Sequence, residues 1–121
     1  MWTYHITPGE LLHDGEHIAN GYSGGGVGKN APDFERIRAV GPIPEGDWLI
    51  VGPPYDSSAH GPYILGLAPA AGTETFGRSG FLIHGDSREH PGQASKGCII
   101  LPRAVREAIW ESGDRNLQVL P

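Results

Sequence analysis

The chain has 121 residues, a formal net charge of −5, 19 glycines, 11 prolines and one cysteine. That length predicts a single domain spanning residues 1–121 with one modest core, and one cysteine excludes an internal disulfide. With no basic block or basic–aromatic stripe, a nucleic-acid partner is excluded, because phosphate neutralisation supplies most of that affinity; no apolar run approaches the roughly 20 residues of a membrane span.

Glycine and proline punctuation without low-complexity repeats predicts many short strands joined by tight turns. Residues 2–22 read as a β-meander. Trp2, Tyr4 and Ile6 alternate with polar neighbours, Pro8-Gly9 turns, and Asp14-Gly15 is a hairpin signal, with His17, Ile18 and Tyr22 on the returning strand. His5, His13 and His17 could meet as metal ligands, but no cysteine or acidic pair accompanies them, which favours solvent-facing histidines. The stretch Ser23-Gly24-Gly25-Gly26-Val27-Gly28-Lys29-Asn30 lacks the spacing of a phosphate loop, so it reads as backbone lying close to a peptide substrate. Pro32 to Ile37 predicts one helical turn.

A rigid turn over Gly41-Pro42-Ile43-Pro44-Glu45-Gly46-Asp47 precedes a strand from Trp48 to Val51, which Gly52-Pro53-Pro54 is expected to end. Residues 55–62 then read as a loop, with His60 on its surface. Strands follow at Tyr63–Leu67 and Phe81–Ile83. Pro102 opens a helix to about Ser112, with Ala104, Val105, Ala108 and Ile109 on one face and Gly113 at its C-terminal cap. Leu117–Leu120 makes a last strand, for seven or eight strands and one helix: a mainly β fold.

The chemistry concentrates between Phe81 and Pro102. His84-Gly85 ends one strand, Asp86 to Ala94 is a polar loop, and Ser95-Lys96-Gly97-Cys98 opens the next strand. A loop of that length can return the chain so that His84 lies beside Cys98. A thiol nucleophile needs such a base, and it needs N–H donors for the developing oxyanion. Gly97 leaves the backbone beside Cys98 open for that purpose, and Lys96 or Arg88 could favour the thiolate.

The segment His84-Gly85, then Ser95-Lys96-Gly97-Cys98-Ile99-Ile100-Leu101, resembles the signature of the L,D-transpeptidases. More closely, the chain resembles the L,D-transpeptidase-like toxins of bacterial type VI secretion. That resemblance extends through Tyr22-Ser23-Gly24, the glycine loop with Asn30, the Gly41–Gly46 turn and Gly77-Arg78, about residues 20–105. It implies a β-sandwich or barrel with one short C-terminal helix. It implies Cys98 as nucleophile, His84 as base, Ser95 and Gly97 shaping the site, and no cofactor or metal. Tyr22, Ser23, Gly24, Arg78, Asp86 and Lys96 become candidate substrate-binding residues, with Arg78 able to grip a terminal carboxylate and Asp86 either orienting His84 or capping its loop. Lys96 departs from the family, whose standard members carry a second histidine there.

The activity implied is L,D-carboxypeptidase or D-amino-acid exchange on peptidoglycan stem tetrapeptides. The partners implied are a cognate immunity protein and a secretion spike or adaptor. The N-terminus, Met1-Trp2-Thr3-Tyr4-His5, shows no signal-peptide pattern, so the expectation is synthesis in the cytoplasm and delivery into a target bacterium's periplasm. Two other readings are open. His84, Asp86, His90 and Cys98 could crowd one metal ion in a metal-dependent hydrolase, or Cys98 could be a core residue in a non-enzymatic cell-wall-binding module.

Overall fold

A computed structural model describes residues 1–121. The strands are β1 (Trp2–His5), β2 (Glu10–His13), β3 (Glu16–Asn20), β4 (Tyr22–Ser23), β5 (Gly46–Ser57), β6 (Gly61–Pro69), β7 (Leu82–His84), β8 (Ile99–Ile100) and β9 (Asn116–Leu120). They form a single sheet in the order β3-β2-β1-β9-β5-β6-β7-β8-β4. One helix, α1 (Arg103–Glu111), packs on it, and short 3₁₀ turns occupy Gly26–Gly28 and Pro32–Phe34. The protein is mainly β, as its punctuation predicts. No helix is long and apolar enough to cross a membrane.

The two outermost strands of that order, β3 and β4, are consecutive in sequence and joined at Gly21 alone. The sheet therefore rolls back on itself into a barrel whose seam is covalent. Gly21 is required there: a Cβ would collide with the Ile100 carbonyl and come within 2.8 Å of Leu101 Cδ2. Rolling brings Trp2, Tyr4 and Leu11 from one end of the sheet into the same apolar cluster as Ile83, Ile99 and Leu101 from the other. Trp48 lies fully inside it, edge-on to Phe81 at 5.0 Å between ring centroids, with its indole N–H donating to the Pro44 carbonyl at 3.0 Å. Burying large aromatic surface while satisfying the one polar atom gives this core much of its stability.

Three expectations change. Tyr22 does not continue the meander; it starts β4, antiparallel to β8, with Tyr22 opposite Ile100. Gly52-Pro53-Pro54 does not end β5, which runs on to Ser57. Pairing with β6 is interrupted between Val51 and Tyr55, so the prolines sit where no ladder hydrogen bond is required of them. Residues 55–62 are accordingly the far end of a long β5–β6 hairpin and not a free loop. On α1, the buried residues are Arg106 and Ile109, while Ala104 faces out.

Candidate active site

β7 and β8 pair in parallel, Ile83 opposite Ile99 and His84 opposite Ile100. One step back in that register Cys98 faces Leu82, and the Leu82 amide reaches its sulfur. Residues alternate across a strand, so Cys98 and His84 share one face of the sheet as diagonal neighbours, roughly 7–8 Å apart at the backbone. The Cys98 thiol donates to the Gly80 carbonyl at 3.8 Å, and no hydrogen bond joins it to the imidazole in this state.

His84 is almost wholly buried. Its Nδ1 lies 2.8 Å from the Gly85 carbonyl, which can only accept, so Nδ1 carries the proton and Nε2 keeps its lone pair. That Nε2 is buried with no partner. Burial lowers the His84 pKa, with the neighbouring His60 and Arg106 acting the same way against the Gly85 hydrogen bond. Burial raises the Cys98 pKa, opposed by the Leu82 amide and the Arg78 charge. Both shifts favour the uncharged forms, thiol and imidazole, which suits a general-base step.

The turn before Cys98 is held from behind. The Ser95 hydroxyl donates to the Cys98 carbonyl at 2.6 Å and accepts from Gly97 N–H at 3.1 Å and Gly24 N–H at 2.8 Å. The Ser23 hydroxyl, fully buried, donates to the Gly97 carbonyl at 3.0 Å and accepts from Ile43 N–H. Gly97 N–H is thus committed, while Cys98 N–H has no acceptor, so an oxyanion would be met at Cys98 itself.

Arg78 is buried and bonds only backbone carbonyls: Nη1 donates to Glu35 and to Pro42 at 2.8 Å, Nη2 to Gly41 at 2.9 Å and to Lys96 at 3.2 Å. Neither a substrate carboxylate nor an acidic partner has both terminal nitrogens available. Arg78 instead ties the Gly41-Pro42 turn to the Cys98 turn, and it supplies the positive charge nearest the thiol in place of Lys96 or Arg88.

Asp86 caps its own loop. It accepts from Tyr22 O–H at 2.6 Å and from the amides of Ser87 and Gly92, and these bonds outweigh desolvation and lower its pKa. Lys29 lies over the Tyr22 ring at 4.3 Å and donates to the Gly92 carbonyl, so the glycine loop clamps the 86–94 loop.

A cavity of about 1100 Å³ opens over this turn. Cys98, His84, Gly97, Arg78, Asp86 and Lys96 line it, whereas Ser95, Ser23, Gly24 and Tyr22 stand behind its wall. Six of the chain's nine lysines and arginines line it, against one of its fourteen acidic residues, a strong segregation for a chain of net charge −5. Several lining residues were not legible as such, and two of them bear directly on His84. His60, at the tip of the long hairpin, brings its ring to 4.5 Å from that of His84, and Arg106 reaches in from α1.

The metal-ligand grouping does not form. His90 is outside the cavity wall, Asp86 is engaged by its loop, and the one convergent set of ligand-type side chains is His13, Asp14 and Asp114, elsewhere. His17 bonds Glu10 instead. Lys96 is exposed at the rim, so Lys96→Ala is expected to lower turnover by about fivefold at most, as removal of a screened charge does. Total loss, in an assay where the variant melts normally, would mean that residue 96 handles the proton.

The Tlde1 domain model matches residues 17–119. The chain belongs to this family. Tlde1 domains are those of the type VI secretion L,D-transpeptidase effectors, and the match covers the barrel from β3 to β9 together with every lining residue of the cavity. Neither a curated protein nor a solved structure matches the chain.

Proposed function

We propose that this Tlde1 domain is a cysteine-dependent peptidoglycan enzyme that removes or exchanges the terminal D-amino acid of stem tetrapeptides. The observation carrying the proposal is the pairing, on one sheet face under a basic cavity, of a thiol whose own amide is free with an imidazole whose Nε2 is unpartnered. In the first step, His84 Nε2 takes the thiol proton as sulfur attacks the carbonyl at the L-centre of the diaminopimelate residue. Cys98 N–H receives the oxyanion. Collapse breaks the C–N bond, and the imidazolium returns the proton to the departing D-alanine nitrogen. In the second step, water or the amine of a free D-amino acid attacks the thioester, giving a proton to His84, and the expelled sulfur recovers it.

The cavity's charge suits the substrate, since a stem tetrapeptide carries several carboxylates and the wall is overwhelmingly cationic. Membership of a type VI secretion effector family supports a further part of this reading: that the chain is an antibacterial effector acting in a neighbour's periplasm and opposed by a cognate immunity protein. The test is mass analysis of tetrapeptide muropeptides incubated with the protein, with and without a free D-amino acid. Loss of D-alanine alone is the carboxypeptidase outcome, and replacement by the added residue is the exchange outcome. Unchanged tetrapeptide in both mixtures would remove the proposal.

A further inference from the structure

Arg106 is 4% exposed yet has no acidic partner. Its guanidinium is fixed by backbone alone: Nε donates to the Leu101 carbonyl at 3.0 Å, and Nη1 donates to Pro62 at 2.6 Å and Tyr63 at 2.7 Å. Nη2 has no acceptor. The nearest acid in sequence, Glu107, is turned to Arg103 at 3.5 Å. Three carbonyls hold this cation in place and none neutralises it, so a full charge faces the cavity with one nitrogen unused.

A second observation points to the same spot. α1 begins at the cavity wall, where Pro102 and Arg103 both line it. No side chain caps that end, no acid lies in the first turn, and the amides of Arg103 and Ala104 have no acceptor. A helix N-terminus with unused N–H groups attracts an anion, and Arg106, whose Nε bonds the carbonyl of Leu101 just before that end, belongs to the same cavity wall.

The location selects the anion. Arg106 Nη2 lies against Gly85 so closely that a Cβ there would come within 2.8 Å of it, and Gly85 is the residue whose carbonyl holds His84. The cation is therefore next to the group that must protonate the departing nitrogen. In a departing D-amino acid, a single carbon separates that nitrogen from the carboxylate.

We propose that Arg106 Nη2 and the first-turn amides of α1 form a carboxylate subsite that holds the C-terminal carboxylate of the leaving residue. This rests on the peptidase reading for its ligand, and it restricts the reaction to peptide ends. A peptide that continues beyond the scissile bond, or one ending in an amide, presents no anion there.

Two experiments separate the subsite from the peptidase reading. In the first, ¹⁵N-labelled Cys98→Ala protein is titrated with N-acetyl-D-alanine and with N-acetyl-D-alaninamide. The acid is expected to shift the Arg103 and Ala104 amides and the Arg106 Nε–H resonance, with the amide at least about tenfold weaker, and Arg106→Gln should erase the difference. If that variant fails to fold, the acid–amide comparison on the folded protein decides alone. Equal shifts with both compounds, or silence at all three resonances, overturn the subsite.

In the second, the wild-type chain is given a tetrapeptide and its C-terminal amide. The expected kcat/KM for the amide is roughly ten- to a hundredfold lower. Cleavage of both alike removes the subsite and keeps the peptidase. Selective binding of the acid with no cleavage of either keeps the subsite and removes the peptidase.

Discussion

Cys98→Ala is expected to abolish release of D-alanine from tetrapeptides, a fall of at least about a thousandfold, with thermal melting close to wild type. The sulfur's hydrogen-bond contacts are with backbone, the Gly80 carbonyl at 3.8 Å and the Leu82 amide, and the residue is partly exposed, so deleting one atom leaves the core intact. His84→Gln is expected to cost roughly a hundred- to ten-thousandfold, because glutamine offers no base. The pH dependence follows from the two environments. Burial lowers the His84 pKa, so the imidazole stays neutral into more acidic solution than an ordinary histidine, and the acid limb of kcat/KM falls below the usual histidine range. Burial raises the Cys98 pKa, so alkylation by iodoacetamide accelerates steadily toward alkaline pH. An alkylation rate flat down to mildly acidic pH would reveal a standing thiolate–imidazolium pair and defeat the general-base mechanism.

Gly97→Ala is the substitution expected to damage fold and site together. Gly97 sits at φ 142°, where a side chain is strained, and a Cβ there would lie 2.5 Å from Arg78 Nη2 and 3.2 Å from Phe81 Cε1. Arg78 cannot yield, because both terminal nitrogens are bonded to backbone carbonyls on either side of the turn. Backbone strain and overpacking together are expected to cost roughly 2–5 kcal/mol. For a domain of this size that lowers the melting temperature by about 10–20 °C. The turn would also shift Cys98 relative to His84, so cleavage should fall by at least about a hundredfold even below the melting transition. A variant melting within a degree or two of wild type would show that the turn can relax without cost.

The strand pair carrying His84 and Cys98 was legible because glycines bracket short apolar runs, and a loop between them can only return the chain. What sequence could not give was how the ends meet. The pairing is parallel, and it depends on β4 closing the barrel beside β8, a contact reached from the far end of the chain. His60 reads as a surface loop residue and is one, exposed in the turn between β5 and β6; what its sequence neighbours do not reveal is that its ring comes close to that of His84. Since β5 tolerates prolines at its irregularity, the hairpin reaches far enough to set one imidazole over another. Arg106 was hidden by the apolar positions around it on α1, and the carbonyls that accept from its buried guanidinium, those of Leu101, Pro62 and Tyr63, are brought together by the fold and not by the sequence around it. Arg78 was legible as important, but not that its terminal nitrogens bond backbone carbonyls, because donors spent on carbonyls leave no acidic partner to find. Ser23 and Gly24 resembled substrate contacts, and in the structure they join Ser95 in bracing the Cys98 turn from inside.

The protonated, sheltered state of Cys98 also bears on chemical survival. Peroxides and disulfides react with thiolates, and a lone thiolate in an oxidising compartment is soon converted to sulfenic acid or a mixed disulfide. Under the proposed mechanism, a thiol whose burial favours the protonated form exposes little of the reactive anion between turnovers. With no second cysteine in the chain, no internal resolving thiol exists to rescue an oxidised site. On this reading, the same burial that makes Cys98 slower to attack also shields it from oxidation.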